Sequence, residues 1–74
     1  MRIAIVGYGI VGQATENTLK TKYIKDIIIH DPSKGHMGTY LDADLIFLCV
    51  PTDTVKSYLN DIIKTLKPYG LAVN

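Results

Sequence analysis

The sequence has little of what disulfide-bonded and nucleic-acid-binding proteins require. Its 74 residues include one cysteine and no tryptophan, and the net charge is only +1. A single cysteine excludes an internal disulfide and is typical of a reducing compartment, so we expect a cytoplasmic protein. The near-neutral charge gives no electrostatic reason to bind nucleic acid or an anionic membrane surface.

Long apolar runs are also missing. No run approaches the roughly 18 residues that a transmembrane helix needs, and the first apolar stretch, Ile3–Val6, is too short for the hydrophobic part of a signal peptide. Hydrophobic residues nevertheless make up 47% of the chain and charged residues 20%. This balance is typical of one small globular domain, which we assign to residues 1–74. His30 and His36 share no metal-ligand spacing with Cys49, so we expect no metal site.

The first apolar stretch runs directly into three glycines. Ile3–Val6 is followed by Gly7, Gly9 and Gly12, the G-x-G-x-x-G spacing at which a buried strand turns sharply into a helix. The first glycine permits the turn, the second lets backbone N–H groups approach a pyrophosphate, and the third lets the helix pack closely on the strand. The open helix N-terminus adds about half a positive charge. The predicted cofactor-binding turn comprises Gly7, Tyr8, Gly9, Ile10, Val11 and Gly12.

An acidic residue follows at the distance that a dinucleotide site requires. Asp31 ends the apolar run Ile27–His30 and lies 19 residues after Gly12, against about 20 in the dinucleotide fingerprint. Its carboxylate can accept hydrogen bonds from both hydroxyls of an adenosine ribose and disfavours a 2′-phosphate, so the sequence favours NAD over NADP. The alternative is an aspartate that only starts a turn before Pro32. Lys34 is a nearby cation that could tolerate a phosphate or bind a hydroxyl.

Apolar periodicity predicts an α/β fold. The strand segments do not alternate polar with apolar residues, as expected when both faces of a parallel sheet are covered. The residues between Asp31 and Asp44 show no helical period and leave little room for a packed helix. Thr52 or Asp53 is expected to cap the second helix. The predicted strands are Ile3–Val6, Ile27–His30, Leu45–Val50 and Leu71–Val73, and the predicted helices are about Gly9–Lys22 and Asp53–Leu66.

Three motifs occur in order along the chain: Ile3–Gly12, then Ala43–Thr52 with its Ala-Asp start and Val-Pro-Thr end, then Lys67–Val73. Together they resemble the N-terminal NAD-binding domain of the UDP-glucose/GDP-mannose 6-dehydrogenase family. The resemblance implies a truncated Rossmann-like, three-layer α/β fold. Its sheet would have four parallel strands in the order 2-1-3-4, with two main helices.

The resemblance also implies where the cofactor lies. The segment at the carboxyl end of the third strand would face the glycine turn across NAD(H). Thr52 and the backbone at Val50-Pro51 would line the nicotinamide half, and Lys34 would reach the adenosine ribose. The implied segment is Cys49, Val50, Pro51 and Thr52. We interpret Cys49, which lies in an apolar run, as a small buried residue rather than a nucleophile. The family's catalytic cysteine, lysine and asparagine lie far downstream of the matched region, so we expect no catalytic residue in this chain.

The expected function is therefore the NAD(H)-binding domain of an oxidoreductase similar to UDP-glucose 6-dehydrogenase, without its substrate part; whether the chain alone is an enzyme stays open. One alternative is a non-catalytic dinucleotide-binding or assembly module. Another is the cofactor domain of a prephenate dehydrogenase or pyrroline-carboxylate reductase. Two helices would leave about half of each sheet face uncovered, so we expect the chain to form a homodimer or to dock onto a substrate domain. Binding of a nucleotide sugar would also require that substrate domain.

Overall fold

The computed structural model describes residues 1–65 and the backbone of residues 71–73. These residues form an α/β fold with one mixed sheet and two helices. The elements are β1 (Ile3–Val6), α1 (Ile10–Thr21), β2 (Ile27–Asp31), a 3₁₀ turn (Pro32–Lys34), β3 (His36–Met37), β4 (Leu45–Leu48), α2 (Thr52–Thr65) and β5 (Leu71–Val73). The spatial order of the strands is β3-β2-β1-β4-β5.

The sheet differs from the predicted one by an additional edge strand. The strands β2, β1, β4 and β5 pair in parallel, in the sequence-predicted adjacency. In the two-residue β3, His36 pairs antiparallel with Asp31. The prediction of four strands, all parallel, is therefore wrong, and so is the full strand order. The cause is local: Gly35 has a φ of +79°, which reverses the chain after the 3₁₀ turn, and Gly38 donates to the carbonyl of Ile29 at 3.1 Å.

The strand that leads to the Val-Pro-Thr segment is shorter than predicted. It ends at Leu48 instead of Val50 because Cys49, after donating its N–H to the carbonyl of Val6 at 2.7 Å, leaves the ladder. The second helix then begins at Thr52, which is its first residue rather than its cap, and the Pro51 carbonyl accepts the first backbone bonds. The predicted end of this helix, at Leu66, lies outside the described residues.

The core lies mainly between the sheet and α2. Alternate strand residues, among them Val6 and Ile46, pack there with Val55 and Ile62 of the helix. On the other face α1 covers β1, where Ile5 is fully buried. In the part of the chain that the structure describes, neither helix combines the length and apolar character needed to cross a membrane.

Candidate functional site

A cleft of about 480 Å³ lies at the carboxyl ends of the adjacent parallel strands β2, β1 and β4. In open α/β sheets this is the edge at which ligands bind, because loops diverge there and helix N-termini point toward it. The cleft is lined by Gly7, Gly9, Asp31, Pro32, Ser33, Lys34, Cys49, Val50, Pro51, Thr54 and Tyr58.

A second cavity, of about 450 Å³, adjoins the first. It contains no ionisable carboxylate or amine, in contrast to the first cavity with its Asp31 and Lys34. Its lining consists of Gly9, Ile10, Val11, Leu48, Cys49, Val50 and Pro51. Because Gly9 and the segment Cys49–Pro51 line both cavities, the two spaces meet directly over the glycine turn. The site thus has a charged half and an apolar half.

Two of the three glycines at this turn are required by the fold itself. Gly7 has a φ of +95°, and a Cβ there would overlap the carbonyl oxygen of Cys49. A Cβ on Gly12 would overlap the carbonyl oxygen of Gly7, since α1 packs that closely on the turn. Either substitution would force the backbone apart.

Gly9 is different. Its backbone is extended, with φ −82° and ψ −154°, a conformation open to any residue. A Cβ there would meet no atom within 4 Å. Nothing in the described chain explains a glycine at this position, and the missing side chain leaves space where the two cavities meet.

Gly9 is also the N-cap of α1. No side chain caps this helix end, and its first turn contains no acidic residue. The first-turn N–H groups have no intrahelical acceptors, and the helix dipole adds partial positive charge at the same point. The arrangement suits an anion with several oxygen atoms, such as a phosphate.

Asp31 ends β2 as a half-buried carboxylate held by two donors. The Ser33 hydroxyl donates to its Oδ1 at 2.6 Å, and the Tyr8 backbone N–H donates to its Oδ2 at 2.8 Å. These two bonds, with the nearby Lys34 ammonium, lower the pKa of Asp31 below its ordinary value, so the group is charged at neutral pH. Each oxygen has a second lone pair, so Asp31 can also accept from ligand hydroxyls.

The Tyr8 side chain takes a structural position outside both cavities. Its hydroxyl donates to the Glu16 carboxylate, and its ring lies edge-on to that of His36 with centroids 4.9 Å apart. The bond to Glu16 raises the pKa of Tyr8 and lowers that of Glu16, whose second oxygen lies 3.4 Å from Lys20 Nζ. Tyr8 thus ties the glycine turn to α1 and to β3.

Most of the sequence-predicted cofactor residues come together here. Three do not line either cavity: Tyr8 and Gly12 hold the turn, and Thr52 is exposed at the start of α2. Cys49 is half buried, follows the end of β4 and lines both cavities, so its interpretation as a small buried residue inside the strand is wrong. The lining residues that the sequence analysis missed are Pro32, Ser33, Leu48, Thr54 and Tyr58.

Local signals for some of these residues exist. Pro32 and Ser33 follow Asp31 directly, and Thr54 and Tyr58 are four residues apart, which places them on one face of α2. Among residues 1–65 and 71–73, no three His, Cys, Asp or Glu side chains are grouped as metal ligands would be.

Comparisons with protein-family models, curated proteins and solved structures find no match to this chain. The resemblance to the nucleotide-sugar dehydrogenases therefore stays a prediction from three motifs. The geometry of the two cavities is independent of that resemblance, since it follows from the positions of the described residues.

Proposed function

We propose that the chain binds a dinucleotide across the two cavities, and that the fold is a short Rossmann-like one. The adenosine lies in the charged half, where Asp31 accepts hydrogen bonds from the ribose hydroxyls. The pyrophosphate lies over Gly9 at the N-terminus of α1. The nicotinamide lies in the apolar half, between Val11 and the Cys49–Pro51 segment.

The single observation that carries this proposal is the open space at Gly9. The other two glycines have a structural explanation in backbone contacts, whereas Gly9 has none within the described chain. Close approach of a pyrophosphate to backbone N–H groups gives that explanation, because even a methyl group at this point would hold the phosphate away.

The residues present fit NAD better than NADP. The Asp31 carboxylate lines the cleft and is charged, and the Tyr8 N–H and the Ser33 hydroxyl hold its two oxygens in place. A 2′-phosphate would meet this negative charge, and Lys34 offsets it only in part because solvent screens its exposed ammonium. When bound, NAD supplies a hydride acceptor; the chain's own residues bind and orient it.

The wider role that we propose is the NAD(H)-binding domain of an oxidoreductase similar to UDP-glucose 6-dehydrogenase. The Ala-Asp to Val-Pro-Thr segment supports this family over the prephenate dehydrogenases and pyrroline-carboxylate reductases, whereas the glycine turn is common to most NAD enzymes. We expect purified chain not to oxidise UDP-glucose, since the family's catalytic residues have no counterparts in the matched region. NADH formation above background would contradict that expectation. A non-catalytic dinucleotide-binding module would use the same site.

Titration calorimetry with NAD, NADP and ADP-ribose tests the binding proposal, with Gly9→Ala as the decisive variant. We expect NAD to bind more tightly than NADP, and Gly9→Ala to weaken NAD at least about tenfold, which corresponds to ~1.4 kcal/mol. The unfolding temperature should change little, because the added methyl group contacts nothing and the cost of alanine at this N-cap is offset by the lower conformational entropy of the unfolded chain.

The matched control is Asn17→Ala, on the exposed surface of the same helix and outside both cavities. It should leave NAD affinity unchanged. Absence of NAD binding by the folded, unmutated chain, or equal affinity of Gly9→Ala and the unmutated chain, would overturn the proposal.

A further inference from the structure

The α2 side of the charged cavity is lined by Tyr58 and by Thr54, which lies one helical turn before it. Core packing of this helix comes from Val55 and Ile62, which are buried, while Tyr58 is half buried. The ring therefore reaches from the edge of the core into the cleft, on the helix side, while Asp31 belongs to the strand side.

Among the described residues, two other aromatic rings lie beside Tyr58 at steep angles to it. The centroids of Tyr40 and Tyr58 are 5.5 Å apart with planes at 74°, and those of His30 and Tyr58 are 5.9 Å apart with planes at 84°. Tyr40 is itself buried, and the His30 Nδ1 lies 2.8 Å from the Gly38 carbonyl oxygen. Both neighbours are thus held in place, and neither is stacked flat on Tyr58. These contacts at steep angles hold the ring, and among the described residues no ring stacks parallel on it.

We propose that Tyr58 is the stacking platform for the purine base of the bound dinucleotide. This inference rests on the proposed function. The base is bonded to C1′ of the ribose, and the neighbouring C2′ carries the hydroxyl that donates a hydrogen bond to Asp31. The base must therefore lie against the walls of the same cleft. The Pro32–Lys34 turn offers one wall and Tyr58 offers the aromatic one. A stacked base excludes water from the ring face, which the hydrogen bonds that Asp31 accepts from the ribose cannot achieve alone.

Ring-current shifts in the NMR spectrum of NAD test the stacking directly and need no variant. With the unmutated chain we expect the adenine H2 and H8 signals to move upfield on binding, because they lie over the tyrosine ring. The nicotinamide signals should show no such shift. Tyr58→Phe should preserve the adenine shift, whereas Tyr58→Leu should abolish it and weaken NAD about tenfold, as expected for loss of one base–aromatic stack.

Tyr23→Leu is the control for removal of a tyrosine ring, because Tyr23 is exposed at the far end of α1. It should alter neither the shift nor the affinity. If NAD binds with no upfield adenine shift, or if folded Tyr58→Leu binds NAD like the unmutated chain, the stacking role is overturned while NAD binding stands. If the unmutated chain binds no NAD, both proposals fall.

Discussion

The backbone N–H of Tyr8 donates to Oδ2 of Asp31 at 2.8 Å, which joins the glycine turn to the end of β2. The two residues are 23 positions apart in sequence, and β1, which precedes the turn, is the neighbour of β2 in the sheet. The orientation of the carboxylate is therefore set by the same turn that presents the open helix end. Changes at Asp31 act on both the ligand and the turn.

Asp31→Asn separates these two effects, because the amide oxygen can still accept the Tyr8 N–H while the negative charge is lost. We expect NAD to bind about tenfold more weakly and the preference for NAD over NADP to shrink, since hydrogen bonds to charged groups contribute about 1.5–3 kcal/mol. Calorimetry with both dinucleotides measures this. Equal affinity of the unmutated chain for NAD and NADP would contradict the role assigned to Asp31.

The lowered pKa of Asp31 predicts a pH dependence of stability. A carboxyl group whose pKa is lower in the folded than in the unfolded chain stabilises the fold above its unfolded pKa, and this stabilisation is lost as the pH falls through the folded pKa. The ordinary value is 3.8. We therefore expect the stability difference between the unmutated chain and Asp31→Asn to be constant near neutral pH and to decrease below about pH 4.

Urea unfolding at a series of pH values measures that difference. Ser33→Ala removes the largest cause of the lowered pKa. In this background the effect of Asp31→Asn on stability should be smaller and its decrease should be complete at a higher pH, while the onset stays near the unfolded pKa. A stability difference that does not change between neutral and acid pH would show that the carboxylate is not stabilised in the folded chain.

Tyr23 is in the left-handed region with a φ of 61°, directly after the C-cap of α1. The bonds from Ile24 N–H to the Leu19 carbonyl and from Tyr23 N–H to the Lys20 carbonyl close a Schellman motif, a position that favours glycine. Because the Tyr23 side chain is 88% exposed, little packing is lost on its removal. Tyr23→Gly should raise the free energy of unfolding by about 1 kcal/mol. Tyr23→Ala, which keeps a Cβ, should give no such gain in thermal or urea unfolding.

The exposed side of α1 predicts self-association. Ile10 is 90% and Val11 66% exposed, and a groove of about 400 Å³ separates this helix side from Phe47 of β4. Burial of apolar surface contributes about 25 cal/mol per Å² to the free energy of folding or association. We therefore expect a second copy of the chain to cover this surface. Ala14 lines the groove and is itself exposed, so Ala14→Glu should give a folded monomer.

Sedimentation at micromolar concentration compares the variants. Asn17→Glu adds the same charge to the same helix but lies outside the groove, and it should leave the dimer intact. A monodisperse, folded monomer of the unmutated chain would contradict the prediction.

The amino-acid sequence predicts those features that depend on local pattern. Apolar runs located β1 and β5, and glycine spacing located the turn and its relation to Asp31. The antiparallel strand β3 was not predictable, since His36–Met37 carries no apolar pattern and its pairing depends on the left-handed turn at Gly35. Tyr58 was missed because periodicity gives the faces of a helix but not the rotation with which α2 packs on the sheet.

The uncapped N-terminus of α1 has a consequence for engineering. Serine, aspartate and asparagine are better N-caps than glycine, so a library selected only for thermal stability should replace Gly9 with one of them. The resulting proteins would be more stable, with a side chain at the junction of the two cavities. Increased stability and loss of ligand would then arise from one substitution, a trade-off common at functional positions. Any stabilised version intended for binding studies should therefore keep position 9 unchanged.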